Sequence, residues 1–195
     1  VVMSRIGGAE DAKAVPLALI ERARQDPLKS NLITGASLGR GLDGQMAEAG
    51  LLARRMPFQG DPVLRKAINE GRVVFIDQHL SEVVEQLRDG SLPNPDIAVI
   101  EAVAITEQGH IVPTSSVGNS ASFAQTARQV IVELNLASSP YFEGMHDIFL
   151  PHGRPGRGPI PVIRADDRIG TQAIEIDPAK IVSIVLCDTP ESSIP

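Results

Sequence analysis

Four short polar segments contain the residues of this sequence that are best suited to binding a ligand. They are Ser4, the turn Thr34-Gly35-Ala36-Ser37, the segment from Asp77 to His79, and the turn Val117-Gly118-Asn119-Ser120. Each follows an apolar run that is typical of a buried strand. Ligands of parallel sheets bind beyond the carboxyl ends of the strands. Several polar turns at such ends therefore predict a binding site more firmly than any one of them does.

The turn at Gly118 is the most informative of the four. Gly118 permits a sharp turn, and Asn119 or Ser120 can cap the helix that follows. The first backbone N–H groups of that helix, up to Ala121, would point above the strand ends, where they can bind an anion or developing negative charge. An ordinary capped connection between two strands explains the same residues equally well, so the pattern alone leaves both interpretations open.

Residues 96–134 form the unit that must position this turn. Asp96 to Val103 is almost wholly apolar and predicts a central strand buried on both faces. A return strand ends at Ser116, a helix follows with Phe123 and Ala124 on its inner face, and a further strand runs from Val130 to Leu134. The spacing of apolar residues along the rest of the chain alternates between helix and strand. The sequence therefore predicts an α/β fold with a mostly parallel sheet flanked by helices.

The remaining elements follow from the same periodicities. A helix is predicted over residues 11–26, a strand over 31–34, and a helix that follows the glycine-rich turn Gly35 to Gly44 and runs through Leu52. Asp61-Pro62 begins another helix, Arg72 to Ile76 is a strand, and Leu80 to Leu87 is a helix that ends at Gly90. Residues 137–161 are rich in Gly and Pro, and Ile181 to Cys187 is a last apolar strand.

Composition narrows the possible functions. The 195 residues are 43% hydrophobic, which is enough for one domain with a substantial core. Aromatic residues make up only 3% and the net charge is -6, which argues against a nucleic acid or an anionic membrane as the partner. No apolar run reaches the ~20 residues of a membrane span and no signal peptide is visible. Cys187, the single cysteine, excludes an internal disulfide, favours the cytoplasm and is expected as a small core residue.

A nicotinamide-dependent dehydrogenase is the alternative that the glycines suggest. Residues 34–41 fit the TGxxxGxG pattern of short-chain dehydrogenases, and Gly39 to Gly44 fits the dinucleotide pattern GxGxxG. Asp61 has the spacing of a ribose ligand, but it precedes a proline at a helix start. Tyr141, the only tyrosine, has Met145 where such an enzyme needs a lysine four residues later. These two departures weigh against the alternative.

The sequence resembles the amino-terminal half of the acetyl-CoA hydrolase and acetate (succinyl-CoA:acetate) CoA-transferase family. The resemblance covers nearly the whole chain and rests on eight segments in order: DAKAVPLAL, NLITGASLG, ARRMPFQ, DPVLRKAINEG, FIDQHLS, DIAVIEAVAITEQGHIVPTSSVGNSASFA, EGMHDI and DDRIGT. It implies a domain of the CoA-transferase type (NagB/RpiA/CoA-transferase-like) over residues 1–195. A complementary carboxy-terminal domain is implied as its partner, and a homo-oligomer is expected.

The resemblance also implies a reaction. Acyl-CoA and a small carboxylate would bind between the two domains, with coenzyme A as a substrate. A glutamate in the missing carboxy-terminal half would form an acyl anhydride and then a glutamyl-CoA thioester, so no catalytic residue is expected in this chain. This half would supply positioning and substrate contacts. The residues expected there are Thr34, Gly35, Ala36, Ser37, Gly118, Asn119, Ser120, Ala121, Arg168 and Thr171.

Three further expectations depend on single residues. Arg168 would lie near the substrate carboxylate or the catalytic glutamate, because an arginine pairs bidentately with a carboxylate; a surface pair with Asp166 or Asp167 is the alternative. Glu101 lies in an apolar strand and is expected to be structural, since burial would raise its pKa. The family's first turn is of the type Met-Ser-Gly-Phe, whereas Arg5-Ile6 follows Ser4 here, which would alter the site.

A metal site is not expected, because no two of the four histidines have close ligand spacing. A non-catalytic domain that binds coenzyme A or serves only in assembly remains open beside the enzyme half, since both predict the same fold.

Overall fold

The computed structural model describes residues 1–3 and 11–191. Strands and helices alternate along most of the chain. The strands are β1 (Val2–Met3), β2 (Ser30–Thr34), β3 (Leu52–Met56), β4 (Val74–Phe75), β5 (Ile97–Ile105), β6 (Ile111–Pro113), β7 (Gln129–Asn135) and β8 (Ile181–Cys187). The helices are α1 (Ala14–Gln25), α2 (Leu42–Glu48), α3 (Pro62–Asn69), α4 (Leu80–Arg88) and α5 (Ser120–Thr126), with short 3-10 turns at Pro140–Phe142 and Pro178–Lys180.

The strands of the described residues form one sheet with the order β4-β3-β2-β1-β5-β7-β8. All pairs along this path are parallel, and β6 adds antiparallel to β5 off the path. The predicted mostly parallel sheet is therefore confirmed, with β5 near its centre.

Helices cover both faces of the sheet. Residues of α1, α2 and α3 pack in one apolar cluster with Met3, Leu32 and Val99, while residues of α4 and α5 pack in a second cluster with Ala98 and Val132. Alternate residues of each central strand thus enter opposite cores, which is why β5 reads as a continuous apolar run. No helix in the described part of the chain is long and apolar enough to cross a membrane.

One element was predicted wrongly. The helix expected to continue through Leu52 ends at Glu48, and Leu52–Met56 is a strand that pairs with β2 and β4. Gly50 lies in the left-handed region with φ 69°, which turns the chain out of the helix. The strand predicted over Arg72 to Ile76 is shorter, at Val74–Phe75, and the return strand ends at Pro113 rather than Ser116.

Candidate ligand-binding crevice

The direction of chain progression across the sheet reverses between β1 and β5. From β1 the chain proceeds through β2 and β3 to β4 on one side, and then returns through α4 to β5 and continues to β7 and β8 on the other. Ligands of open α/β sheets bind at such a reversal, beyond the carboxyl ends of the strands. We call this region the crevice.

Buried polar side chains lie below the crevice. Glu101 stands two positions beyond Val99, the β5 residue that pairs with the last residue of β1. Its carboxylate accepts a short hydrogen bond from Lys13 Nζ, one from Asn135 Nδ2 at 2.7 Å and one from Thr114 Oγ1 at 3.2 Å. The side chains of Lys13 and Glu101 are almost fully buried. Three donors from three segments thus converge on one buried carboxylate.

Glu133 on β7 stands beside Glu101 in the sheet register and caps helix α1. Its carboxylate accepts hydrogen bonds from the backbone N–H groups of Lys13, Ala14 and Val15 at 2.6, 3.0 and 2.9 Å. A negative charge at a helix amino terminus is favourable because it satisfies free N–H groups and complements the helix dipole. The two strand glutamates therefore fix the start of α1 against β5 and β7.

Burial raises the pKa of the Glu101 carboxyl, although the hydrogen bond and charge of Lys13 and the hydrogen bond of Asn135 act in the opposite direction. A carboxylate enclosed by its own donors cannot reach a thioester carbon. The structure therefore agrees with the expectation that Glu101 is a structural residue buried beside a donor.

The turn after β2 is held by a second buried ion pair. Arg55 Nε donates to Asp43 Oδ1 at 2.8 Å, and both side chains are fully buried. Arg55 Nη2 also donates to Ala36 O at 3.3 Å, and Asp43 Oδ2 accepts the Leu38 N–H at 2.8 Å. The pair therefore ties β3 and α2 to the turn from both sides.

The predicted binding residues of this turn use their side chains within the protein. Thr34 is fully buried and its hydroxyl donates to Ala36 O at 2.5 Å, while Ser37 Oγ accepts the Gly60 N–H at 2.6 Å. Gly35 is buried. Thr34 and Ser37 thus shape the turn, and any contact they make with a ligand stays a prediction.

The Gly118 turn lies at the crevice with its backbone exposed. Gly118 is exposed and has φ 49°, as expected for a residue that permits a sharp turn. Asn119 occupies the N-cap position of α5 without a side-chain hydrogen bond to the first turn, so the predicted side-chain cap at Asn119 is not seen. Ser120 and Ala121 are buried, which directs their side chains toward the core.

Arg168 and Thr171 belong to a segment that folds onto the family motif at residues 143–148. Ile148 and Thr171 form an isolated antiparallel bridge, and Asp147 accepts the N–H groups of Ile169 and Gly170 at 3.0 and 2.6 Å. Two motifs whose joining hydrogen bonds span 22 and 23 residues of sequence are therefore one unit in the structure.

Arg168 is exposed and donates from Nη1 to the carbonyls of Met145 and His146, each at 3.2 Å. Pairing with Asp166 or Asp167 was the alternative, and the structure gives these acids other partners: Asp166 pairs with Arg164, and Asp167 accepts the N–H groups of Ile163 and Arg164. His146 Nε2 in turn lies 3.1 Å from Pro113 O at the end of β6. The Arg168 unit is thereby attached next to the Ser115–Gly118 side of the crevice.

The predicted position His79 does not join the crevice. His79 caps α4 through the Ser81 N–H, and it follows β4 at the outer edge of the sheet, three strands from β1. Ser4, with the altered turn at Arg5 and Ile6, lies outside the described residues.

Gly44, the last glycine of the dinucleotide pattern, has a structural explanation. A Cβ on Gly44 would lie 2.7 Å from Asp61 Oδ1 and 2.9 Å from Val63 Cβ, so Gly44 is required where α2 packs on the start of α3. Asp61, the proposed ribose ligand, caps α3 by accepting the N–H groups of Val63 and Leu64. Gly44 thus serves helix packing and Asp61 helix capping, so the nicotinamide interpretation loses its proposed ribose ligand.

Sequence reasoning missed the side chains that hold the crevice together. Lys13, Asn135 and the buried pair of Arg55 and Asp43 were not singled out. The available signal was charge inside apolar strands, since Arg55 and Glu133 interrupt runs that are otherwise suited to burial. Such a residue predicts a buried partner without saying which residue it is.

Comparison with known families gives a match over residues 1–186 to the acetyl-CoA hydrolase/transferase N-terminal domain. A succinyl-CoA:acetate CoA-transferase of Clostridium kluyveri is 42% identical over 94% of this chain and 34% of its own length. An acetyl-CoA hydrolase of Saccharomyces cerevisiae is 41% identical over 91% of this chain and 36% of its own length. A propanoyl-CoA:succinate CoA transferase of Escherichia coli is 36% identical over 98% of this chain and 40% of its own length. This chain therefore spans between a third and two-fifths of the length of these relatives.

Solved structures share the fold. The RipA structure from Yersinia pestis has a TM-score of 0.61 with 17% identity, over 100% of this chain and 40% of that one. A malonate decarboxylase alpha subunit from Acinetobacter baumannii has a TM-score of 0.57 with 18% identity, over 97% of this chain and 31% of that one. At these identities the likeness shows the fold alone.

Proposed function

This chain belongs to the acetyl-CoA hydrolase/transferase family, as its N-terminal domain. We propose that it is the positioning part of an enzyme that moves coenzyme A between acetyl-CoA or succinyl-CoA and a small carboxylate. The observation that carries the proposal is the match of more than nine-tenths of the chain to curated relatives named for these activities. Those names support neither the nicotinamide alternative nor a purely non-catalytic domain.

In the proposed reaction the nucleophile comes from the part of the protein beyond this chain. A glutamate carboxylate attacks the acyl-CoA thioester and releases the coenzyme A thiolate, which leaves an acyl-glutamyl anhydride. The thiolate then attacks the glutamyl carbonyl, which releases the donor carboxylate and forms the glutamyl-CoA thioester. An acceptor carboxylate or water resolves this thioester. Transfer and hydrolysis thus differ only in the last acceptor.

This chain would contribute the floor and one wall of the site. The crevice lies at the switch point, which is the reversal of chain progression between β1 and β5. The Gly118 turn exposes its backbone at the rim of the crevice, and the Arg168 unit is attached beside that turn. Backbone N–H groups and a guanidinium suit the negative charge that develops on carboxylate and thioester oxygens. We place Gly118, Asn119 and Arg168 among the substrate contacts, with Thr34 to Ser37, Ser120, Ala121 and Thr171 shaping the site.

Arg168→Lys tests this assignment in a chimera that joins this chain, in place of the matched region, to the rest of the Clostridium kluyveri transferase. An arginine fork that contacts a carboxylate cannot be reproduced by a lysine, so kcat/KM for acetyl-CoA and succinate should fall about tenfold or more, which is about 1.4 kcal/mol. The thermal midpoint should change little.

Arg164→Lys is the matched control, because Arg164 is exposed and pairs with Asp166 on the surface. An unchanged kcat/KM for Arg168→Lys would remove Arg168 from the site. A large loss of thermal stability would instead assign Arg168 to the fold, through the carbonyls of Met145 and His146.

A further inference from the structure

The segment Thr189–Glu191, which we call the strap, crosses the carboxyl ends of the strands. Asn135 Nδ2, at the end of β7, donates to Thr189 O at 2.9 Å. Arg40 Nη2, in the turn after β2, donates to Pro190 O at 2.7 Å. The strap therefore leads from the β7 side of the sheet to the β2 side, and between them lies the switch point of β1 and β5.

The strap places a carboxylate in the crevice. Ser115 Oγ donates to Glu191 Oε2 at 2.6 Å, and the Ser115 N–H donates to Glu191 Oε1 at 3.4 Å. One residue thus offers one donor to each oxygen of the same carboxylate, an arrangement that suits the binding of a carboxylic acid.

The same carboxylate lies near Glu101, because Thr114, the residue before Ser115, donates from Oγ1 to Glu101 Oε2 at 3.2 Å. The pKa of Glu101 is raised chiefly by burial, and the negative charge of Glu191 adds to this effect against the opposing action of Lys13. The Glu191 carboxylate is therefore close enough to the floor of the crevice to act on its buried acid.

The residue that holds the middle of the strap has an unusual backbone. Arg40 has φ 53° and is, within residues 1–3 and 11–191, the one residue other than glycine in the left-handed region. Gln45 Nε2 fixes this conformation by donating to Arg40 O at 3.1 Å. A strained backbone of this kind persists where the surrounding structure requires it and is concentrated at binding sites.

We propose that Ser115 forms a carboxylate-binding site which Glu191 fills from within the chain, and that a small carboxylate takes this site when the strap moves away. The proposal rests on the proposed function for the identity of the ligand class, and it assigns that class to a specific pair of donors. Because Glu191 is tethered close to the site, its effective concentration is on the order of millimolar, and it competes with a free acid.

The competition predicts that removing the internal carboxylate opens the site. In the 15N-labelled 195-residue chain, acetate and succinate are titrated while the Ser115 amide resonance is followed. Glu191→Ala should bind both acids about tenfold more tightly than the unmodified chain, and Glu191→Gln, which keeps the shape of the side chain, should change affinity in the same direction. Adding Ser115→Ala to Glu191→Ala should remove most of the gain.

Asp188→Ala is the matched control, since Asp188 is an exposed acid just before the strap. It should leave both the affinity and the Ser115 resonance unchanged. Acetamide, a neutral analogue of acetate, should not bind, and resonances remote from the crevice should report an intact fold in every variant.

Equal affinity of the unmodified chain and both Glu191 variants, or binding that does not move the Ser115 amide, would overturn the proposal. Tighter carboxylate binding in the Glu191 variants together with no coenzyme A transfer by the chimera would keep the site and reject the proposed function. Coenzyme A transfer by the chimera, without any effect of the Glu191 variants on carboxylate affinity, would keep the proposed function and reject the Ser115 site.

Discussion

Buried ion pairs fix the turns around the crevice. The pair of Arg55 and Asp43 supports the turn after β2, and the pair of Lys13 and Glu101 joins the start of α1 to β5. Removing one partner of a buried pair leaves a charge without compensation in a poorly solvated place, whereas an exposed pair contributes little. The shape of the crevice therefore depends on charges that are buried and paired within the protein.

Asp43→Ala should lower the free energy of unfolding by about 3–5 kcal/mol, because it leaves the Arg55 guanidinium buried and unpaired. Urea denaturation measures the change. Asp26→Ala is the control, since Asp26 pairs with Arg22 at the surface, where a loss of at most about 1 kcal/mol is expected. Similar losses in the two variants would show that the Arg55 pair has no special role.

The raised pKa of Glu101 has a consequence for stability. The folded chain holds the proton of this carboxyl more tightly than the unfolded chain, whose value is near 4.5. The stabilisation from this group is therefore fully present below pH 4.5 and is lost as the pH rises through the raised pKa.

Glu101→Gln removes this titration. The free energy of unfolding of the unmodified chain, taken relative to that of Glu101→Gln, should decrease as the pH rises above about 4.5. Urea denaturation at a series of pH values gives the comparison, with Glu48→Gln as an exposed glutamate control. Parallel pH profiles for the unmodified chain and Glu101→Gln would contradict the assignment.

For single residues, the sequence predicted which side chains are buried better than it predicted their hydrogen-bond and ion-pair partners. The burial of Glu101 and Cys187 is confirmed, because both lie in apolar strands. Lys13 was missed because a lysine before a helix is ordinarily exposed, and only the strand glutamates make its burial possible. The partners of Arg168 are main-chain carbonyls, which no pattern of side chains can reveal.

Among the elements, those with an uninterrupted periodicity were predicted closely. β8 has the predicted bounds Ile181–Cys187, and α4 lies within one residue of the predicted helix. β3 was missed because Arg54 and Arg55 interrupt its apolar pattern, and the burial of Arg55 depends on its pairing with Asp43. A strand that contains a buried charged residue is therefore not recognised from its hydrophobic pattern.

The bridge between residues 148 and 171 depends on a glycine. A Cβ on Gly170 would lie 2.3 Å from the backbone of Ile148, a distance that cannot be relieved by moving a side chain. Gly170→Ala should therefore open the unit that carries Arg168. We expect faster amide hydrogen exchange at Thr171 and Ile148 and a lower melting temperature.

Gly158→Ala is the control for Gly170→Ala, since nothing lies within 4 Å of a Cβ at Gly158. It should leave both measurements unchanged. Unaltered hydrogen exchange in Gly170→Ala would show that the two motifs are not held together by this close approach.

The whole molecule has the architecture that the sequence predicted, a mostly parallel sheet between two layers of helices. The strand order, and with it the switch point, could not be predicted, because periodicity shows which segments are strands but not which strands are neighbours. The strap was missed for the same reason: Thr189 to Glu191 has no regular pattern, and its position follows from contacts with Asn135, Arg40 and Ser115.

The central claim is that this chain is one part of a coenzyme A-transferring enzyme and that the nucleophile lies in the other part. Acetyl-CoA consumption with succinate or acetate present tests it most directly, measured for the 195-residue chain alone and for the Clostridium kluyveri chimera. We predict no turnover by the chain alone and robust turnover by the chimera, because only the chimera contains the glutamate of the proposed reaction. Robust turnover by the chain alone, or a folded chimera without turnover, would contradict the account.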